Sequence, residues 1–178
     1  MGKNLQDLIS VGGRRATPMP PYGRTAIIIA VAAFAVVLLL LNLFTVSFSV
    51  VQYYGDGMEP TLRDRQTLVI RKTDRVEEGD IIVFYYNNKA LVRRVICSGG
   101  RMLRMDDAGA VMLDNEPLEE PYVTAPSLGQ CSISFPYSVP VGQYFVMGDN
   151  RAIAMDSRLA EIGTISKDRI LGKVVLVI

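Results

Sequence analysis

The 178-residue chain contains no histidine and no tryptophan, and it has only 2 cysteines. Without histidine, the chain cannot form a Ser-His-Asp triad, a Cys-His pair or an imidazole-ligated zinc site. It also lacks the usual acid/base group near neutral pH, so a hydrolase of this sequence would use a lysine or carboxylates. A formal net charge of +1 lacks the basic excess that phosphate binding needs. We therefore predict no nucleic-acid partner, no metal site and no cofactor.

A long segment without charge lies between Arg24 and Asp56, and residues 26–44 of it read AIIIAVAAFAVVLLLLNLF. As a helix, this run is long enough to cross a bilayer, which takes about 20 residues. A small domain rarely buries a helix that is apolar on all sides, and a cleaved secretory signal has a shorter apolar region of about 7 to 15 residues. The sequence therefore predicts a retained transmembrane helix over residues 25–48.

The charges that flank this run predict its orientation. The flank is basic, with Lys3, Arg14, Arg15 and Arg24 against Asp7. Positive charge stays on the cytoplasmic side of a membrane. Residues 1–24 are therefore predicted to be a cytoplasmic tail that can contact anionic membrane lipid, and residues 49–178 an extracytoplasmic domain of a single-pass protein of the cell membrane.

Short runs with alternating or β-branched residues recur after the apolar segment, and no comparably long helical period follows them. These runs are 66–72, 80–86, 89–96, 101–105, 143–147 and 170–178. Asn87 and Asn88 separate two of the runs and favour a tight turn, because asparagine tolerates positive φ. The second domain is therefore predicted to be mainly β. Cys97 and Cys131 lie in this domain, and the sequence does not decide between a disulfide and two free thiols.

Three segments carry more specific patterns: 55–62 (GDGMEPTL), 91–96 (LVRRVI) and 148–158 (GDNRAIAMDSR). Singly, they could be a turn, an edge strand and a loop held by arginine pairs. In this order behind one anchor, they resemble the type I signal peptidases (peptidase S26), membrane serine proteases that remove signal peptides with a Ser/Lys dyad. Further matches are 78–83, 115–122, 139–147 and 170–173, so the resemblance runs to the last residue. It implies an antiparallel β-sheet domain.

The resemblance also locates the catalytic positions, and three of them carry unsuitable residues. The family's nucleophilic serine precedes Met-x-Pro-Thr, where this chain has Gly57. Its general base, a lysine, precedes Arg-Val, where this chain has Arg93; a guanidinium cannot be deprotonated in a protein. The serine that orients the lysine stands two residues before Asp-Ser-Arg, where this chain has Ala154. Loss of the nucleophile alone costs a serine protease roughly a million-fold in turnover.

The residues around these positions, here named the frame, are retained: Gly55, Met58, Pro60, Thr61, Arg94, Gly148, Asp149, Asn150, Arg151, Asp156, Ser157 and Arg158. This selective loss predicts a catalytically inactive homologue. Thr61, Ser98 and Ser157 are poor substitutes for the nucleophile, because no lysine stands where it could activate them and Lys89 is four residues before the base position. Asp56 is adjacent to the vacant position, but adjacent side chains point to different sides, and a carboxylate suits glycosyl or phosphoryl transfer better than amide cleavage.

The candidate contacts of a retained substrate cleft are Tyr53, Tyr54, Asp56 and Val92. The two tyrosines could instead lie at the membrane interface, which is the preferred interpretation. For Arg93, we favour a solvated or Asp-paired side chain. The alternative is a bidentate bond to a carboxylate, either that of Asp56 or one on a partner protein.

The resemblance includes degenerate members from Gram-positive bacteria that are needed to assemble sortase-built pili and act as chaperones or scaffolds for pilin subunits. We therefore predict that this chain binds exported protein segments, with pilins and a sortase as partners. The alternative is an active signal peptidase whose catalytic groups have been displaced.

Overall fold

The computed structural model describes residues 21–73 and 75–178 and divides the chain into two compact units after Asn42. Helix α1, Pro21–Ser47, has 27 residues and is about 40 Å long at 1.5 Å per residue. Its apolar side chains are exposed on every side, and Tyr22–Ser47 is long and apolar enough to cross a membrane. The tail residues Lys3, Arg14 and Arg15, predicted to be cytoplasmic, lie outside the described residues.

Eleven strands follow the helix in the described part of the chain. They are β1 (Phe48–Gln52), β2 (Thr67–Arg71), β3 (Ile81–Tyr86), β4 (Lys89–Ser98), β5 (Met102–Met105), β6 (Val111–Leu113), β7 (Glu116–Pro117), β8 (Tyr137–Ser138), β9 (Gln143–Met147), β10 (Ile165–Ser166) and β11 (Ile170–Val177). All strand pairs are antiparallel, which confirms the predicted mainly β fold.

The larger sheet has seven strands in the order β1-β2-β11-β3-β4-β9-β10. Strand β4 therefore lies between β3 and β9, with Arg93 opposite Ile82 and Arg94 opposite Met147. Strand β1 is an edge strand, and its end leads directly into the segment that contains Gly57. The smaller sheet has the order β7-β6-β5-β8.

Three apolar clusters form the core of the unit that contains the strands. The first joins β4 and β9 to the small sheet, and includes Ile96, Phe145, Leu103 and Leu113. The second packs β3, β4 and β9 against the segment around Ile162. The third is built around the fully buried Met58 and Leu62 and connects the segment after β1 to β2, β3 and β4. The segment that carries Gly57 is thus fixed to the central sheet by its own apolar residues.

Each of the six predicted strand runs contains a strand, and the turn between β3 and β4 is confirmed. Asn87 and Asn88 both have positive φ, at 45° and 61°, and the flanking residues Tyr86 and Lys89 are paired. Cys97 and Cys131 are two free thiols. Each thiol contacts a nearby backbone oxygen, that of Ser98 and Ile133 respectively, at 3.4 Å.

Candidate functional site

A cleft of about 270 Å³ lies where the segment after β1 passes β4 and the loop that follows β9. The residues that line it are Val51, Gln52, Tyr53, Tyr54, Gly55, Asp56, Gly57, Ala90, Leu91, Val92, Arg93, Ile153 and Met155. No serine, threonine, cysteine or lysine is among them. The hydroxyls of two tyrosines and one carboxylate are therefore the only side-chain groups in this lining that could resemble a nucleophile or a base.

Arg93 and Gly57, which the resemblance predicts at the positions of the base and the nucleophile, lie side by side in this cleft. A Cβ placed on Gly57 would lie 3.3 Å from Nη2 of Arg93. Two backbone carbonyls hold the guanidinium: Nε donates to the oxygen of Met155 at 2.8 Å and Nη1 to that of Val92 at 2.6 Å. The structure therefore brings together the two positions that the sequence motifs predicted, with a fixed cation where the base would be.

The charge of Arg93 is buried without a carboxylate. The residue is 7% exposed, and none of the ion pairs within 4.0 Å that join described residues includes it. Burial lowers the pKa of Arg93, although a guanidinium stays protonated in proteins. Arg93 is therefore not paired with an aspartate, and Asp56 does not reach it within ion-pair distance; its observed partners are the two backbone carbonyls.

Ala154 lies next to Gly148, and Gly148 in turn lies next to Gly57. Ala154 is 1% exposed, and a Cβ on Gly148 would overlap both the Ala154 methyl group and the oxygen of Gly57. Only glycine therefore fits at position 148. The methyl group of Ala154 cannot donate or accept a hydrogen bond, so this position offers nothing that could orient a base.

The frame residues around Asp149 form one hydrogen-bonded cluster. Nε and Nη2 of Arg94 donate to the two carboxylate oxygens of Asp149 at 2.9 and 2.6 Å, and the hydroxyl of Thr61 donates to the same carboxylate at 2.5 Å. The guanidinium of Arg94 also stacks on the ring of Tyr122 at 3.9 Å. This cluster joins the Gly57 segment, β4 and the loop after β9.

A second cluster fixes the loop 148–158 from inside. Arg158 binds Asp156 through Nε and Nη2 at 2.8 and 2.7 Å, and both side chains are fully buried. Asp156 also accepts from the backbone N–H of Gly148 at 3.0 Å. Arg151 makes a similar bidentate pair with Glu120, at 2.9 and 2.5 Å. Such paired, charge-assisted bonds hold a loop in one geometry.

The remaining frame residues support the segment around Gly57. The N–H of Asn150 donates to the oxygen of Gly57, and its side chain donates to the oxygen of Asp56, each at 3.2 Å. Gly55 has a φ of 106°, which favours glycine, and its N–H donates to Asp64 at 2.8 Å. The peptide bond before Pro60 is cis. The hydroxyl of Ser157 accepts from Val146, within the buried part of the domain.

The four candidate cleft contacts all line the cleft. Tyr53 is only 4% exposed, and its hydroxyl accepts from the N–H of Met58 at 3.0 Å. Burial raises the pKa of Tyr53. The membrane-interface interpretation is therefore wrong for Tyr53, which belongs to the core. Tyr54 is exposed and donates to Gln52, Val92 is buried, and Asp56 is exposed.

Sequence reasoning missed Met155, whose backbone oxygen holds Arg93, and Ile153, which lines the cleft. Their position next to Ala154 in the motif was the available signal, but a backbone contact does not depend on the side-chain type. It also missed Glu120 as the partner of Arg151. Among residues 21–73 and 75–178, no group of three or more histidine, cysteine, aspartate or glutamate side chains could hold a metal ion.

Comparisons with known proteins agree with the motifs. The family model described as "Signal peptidase, peptidase S26" matches residues 25–178. Signal peptidase I of Bacillus licheniformis is 36% identical over 160 residues, covering 83% of this chain and 82% of the relative. Signal peptidase I T of Bacillus subtilis is 36% identical over 131 residues, covering 66% and 67%. Signal peptidase IB of Staphylococcus aureus is 29% identical over 167 residues, covering 83% and 85%. A crystal structure of a signal peptidase I from Enterococcus faecalis matches 57% of this chain and 97% of that chain, with 24% identity and a TM-score of 0.48.

Proposed function

This chain belongs to the signal peptidase family, peptidase S26, and from that membership we propose that it is a membrane-anchored homologue that binds exported polypeptide segments without cutting them. The observation that carries the proposal is which residues line the cleft. Arg93 stands where a neutral lysine is required, and Gly57 has no side chain that could attack a peptide bond. A general base must accept a proton, and a guanidinium only donates.

No neighbouring group replaces the missing dyad. The hydroxyl of Thr61 donates to Asp149, and that of Ser157 is buried and accepts from Val146. Lys89 lines an adjacent cavity of about 290 Å³ together with Arg93, and no hydroxyl nucleophile other than Tyr86 lines it. Asp56 is a carboxylate, which suits glycosyl or phosphoryl transfer better than amide cleavage.

The retained frame supports a binding role. Two buried bidentate pairs and the Asp149 cluster keep the loop 148–158 and the Gly57 segment in place around the cleft. Strand β1 is an edge strand whose last residues line the cleft. An extended peptide can add to such an edge through main-chain hydrogen bonds. Binding therefore requires nothing that the three substitutions removed.

The proposed partners are pilin subunits and a sortase, with the anchor embedded in membrane lipid, the N-terminus in the cytoplasm and the β domain outside. A tethered domain meets newly exported subunits at a raised effective concentration. In this role the chain acts as a chaperone or scaffold during pilus assembly.

A second candidate function is signal-peptide cleavage, and the relatives named signal peptidase I favour it. It would require a catalytic group outside the positions of the Ser/Lys dyad. The two candidates differ in one measurable property, turnover of a peptide substrate.

The deciding experiment uses the purified full-length chain in detergent with a fluorogenic signal-peptide substrate. The Bacillus licheniformis relative serves as the positive control, and buffer without enzyme as the background. We expect no turnover above background, because removal of the nucleophile costs roughly a million-fold. Cleavage at the signal-peptide site, above background and proportional to the amount of purified chain, would establish the second candidate and refute ours.

Crosslinking tests the partners. A photo-crosslinking residue replaces Asp56 at the cleft, and a matched one replaces the exposed Asp107 outside the cleft lining. In pilus-producing cells, we expect position 56 to capture a pilin subunit, identified by mass spectrometry, and position 107 to capture none. Equal capture at both positions, or none at position 56, would count against cleft binding.

A further inference from the structure

We propose that the cleft is a carboxylate receptor, in which Arg93 binds a carboxylate of the polypeptide segment that the cleft holds. The carboxylate is either the free C-terminus of a processed chain or the side chain of an aspartate or glutamate. This inference rests on the proposed binding function and names the chemistry by which the same site would recognise its ligand.

The buried arginines of the described residues differ in their ion pairing. Arg151 and Arg158 each have a bidentate carboxylate partner, Glu120 and Asp156 respectively. Arg93, also buried, has none within 4.0 Å. The carboxylates of Asp156 and Asp149 attract Arg93 only from beyond ion-pair distance, and both are paired with other arginines. A carboxylate in the cleft would therefore be the first direct counter-charge of Arg93.

Arg93 has hydrogen-bond donors left for a ligand. A guanidinium carries five N–H groups, and two of those on Arg93 are used by the oxygens of Met155 and Val92. Nη2 has no hydrogen-bond partner among the described residues. No fully buried side-chain nitrogen in this part of the chain lacks a partner, so Nη2 is open to the cleft.

The guanidinium of Arg93 is held in place by the protein backbone. The two carbonyl bonds fix its plane before a ligand arrives, so little side-chain entropy is lost on binding. Gly57 leaves the space beside Nη2 free, whereas a larger residue would contact the guanidinium at about 3.3 Å from its Cβ. Glycine at position 57 thus keeps the cation accessible.

The lining of the cleft favours a single carboxylate over a more highly charged anion. Apart from Arg93, the only charged residue in it is Asp56, which is exposed and makes no ion pair with Arg93. The other side chains are uncharged, so a single carboxylate matches the one cation in the lining. A phosphate group carries more negative charge and is usually bound by several cations, which this lining does not provide.

The experiment measures peptide affinity for the full-length protein by isothermal titration calorimetry in neutral detergent. The three probes are N-acetylated alanine hexapeptides: one with a free C-terminus, one with an amidated C-terminus, and one amidated with an internal aspartate. Hydrogen bonds to a charged group strengthen binding enough that at least one carboxylate peptide should bind about tenfold or more tightly than the neutral amide. Whichever carboxylate peptide shows the gain identifies the source.

Variants assign the gain to Arg93. Arg93→Gln should abolish the preference for carboxylate, while Arg104→Gln, which removes the same charge from an exposed position on β5, should retain it. Higher salt should weaken the binding of the carboxylate peptides to the unaltered protein. This measurement does not depend on whether a variant folds. Equal affinity of all three peptides, or no binding of any, overturns the carboxylate inference. Equal affinity would leave the binding function standing, whereas signal-peptide turnover would remove that function.

Discussion

At the scale of single residues, Gly57 and Arg93 behave as a matched pair. A Cβ on Gly57 would meet the guanidinium at 3.3 to 3.4 Å, which is tighter than ordinary contact. The guanidinium cannot easily withdraw, because two carbonyls hold it. The arginine therefore requires the glycine, and restoring serine alone would strain the site.

This pairing predicts energetic coupling. Gly57→Ser should destabilise the protein, since adding atoms to a packed site costs about 1–3 kcal/mol. In an Arg93→Lys background, the same change should cost less. A double-mutant cycle by chemical denaturation in detergent should give a coupling energy of about 0.5–3 kcal/mol, as for residues in contact. Strictly additive losses of unfolding free energy would show that the two residues do not constrain each other.

The thiol of Cys97 provides a second test at this scale. Burial is the main cause that raises the pKa of Cys97, to about 11. Because the thiolate is the reactive form, iodoacetamide should label Cys97 at pH 8 about a hundredfold more slowly in the native protein than in guanidinium. The Cys131→Ser variant isolates this thiol, and mass spectrometry follows the label.

The pH dependence of Cys97 has a definite sign. The native thiol keeps its proton up to pH of about 11, whereas an unfolded cysteine loses it near pH 8.5. The unfolded state therefore binds fewer protons between these values, and the contribution of Cys97 to the free energy of unfolding falls as the pH rises. Equal labelling rates in the native and unfolded protein would contradict the burial of this thiol.

The sequence predicted which positions are altered, but it did not predict how Arg93 is held. Motif order predicts that Gly57, Arg93 and Ala154 occupy the family's catalytic positions, and the structure places Gly57 beside Arg93. The partners of Arg93 are backbone oxygens, one of which comes from Met155 in a loop 62 residues away. Contacts to backbone oxygens do not depend on the residue type, so the sequence could not predict them. The expected Asp partner was wrong.

At the scale of elements, the loop 148–158 is held by charges that are satisfied inside the protein. Asp156 is the centre of this arrangement, because it binds Arg158 and the N–H of Gly148. Removal of one member of a buried ion pair leaves the other charge uncompensated. The loop should therefore be the most charge-sensitive element near the cleft.

Asp156→Asn should lower the free energy of unfolding by about 3–5 kcal/mol, because it leaves Arg158 charged and buried without a carboxylate. Asp114→Asn is the matched control. It breaks an ion pair with Arg101 that has a single contact and lies at the surface, where ion pairs contribute little. Chemical denaturation of both variants compares the two losses. A loss for Asp156→Asn no larger than that for Asp114→Asn would show that the buried pair does not stabilise the loop.

The strands that could be predicted from the sequence are long enough to show an alternating pattern of residues. All six predicted runs contain strands, but β1, β6, β7, β8 and β10 were not predicted. Strands β7, β8 and β10 have only two residues each, too few for an alternation. Strand β1 follows the apolar run without a polar break, so its residues were assigned in part to the helix.

At the scale of the whole molecule, the charge asymmetry around α1 predicts the topology. Alkaline phosphatase, which is active only after export, should be active in a Gram-negative host when fused after Ile178. A fluorescent protein that folds only in the cytoplasm should remain dark at the same position. Replacing the basic residues Arg14, Arg15 and Arg24 with glutamate should weaken this preference. An inactive phosphatase fusion together with a fluorescent second fusion would contradict the proposed orientation.

Strand β1 begins at Phe48, directly after α1 ends at Ser47, and the first residue of the cleft lining is Val51. Four residues of extended chain span at most about 14 Å. The connection between the last residue of α1 and the first residue of the cleft lining is therefore short, and both residues lie in the unit that begins at Leu43. A polypeptide would then be selected by its height above the bilayer as well as by its chemistry. Under the proposed binding function, a polypeptide still attached to the membrane would stay within reach of the cleft, and a released one would pass out of reach without any change in the cleft.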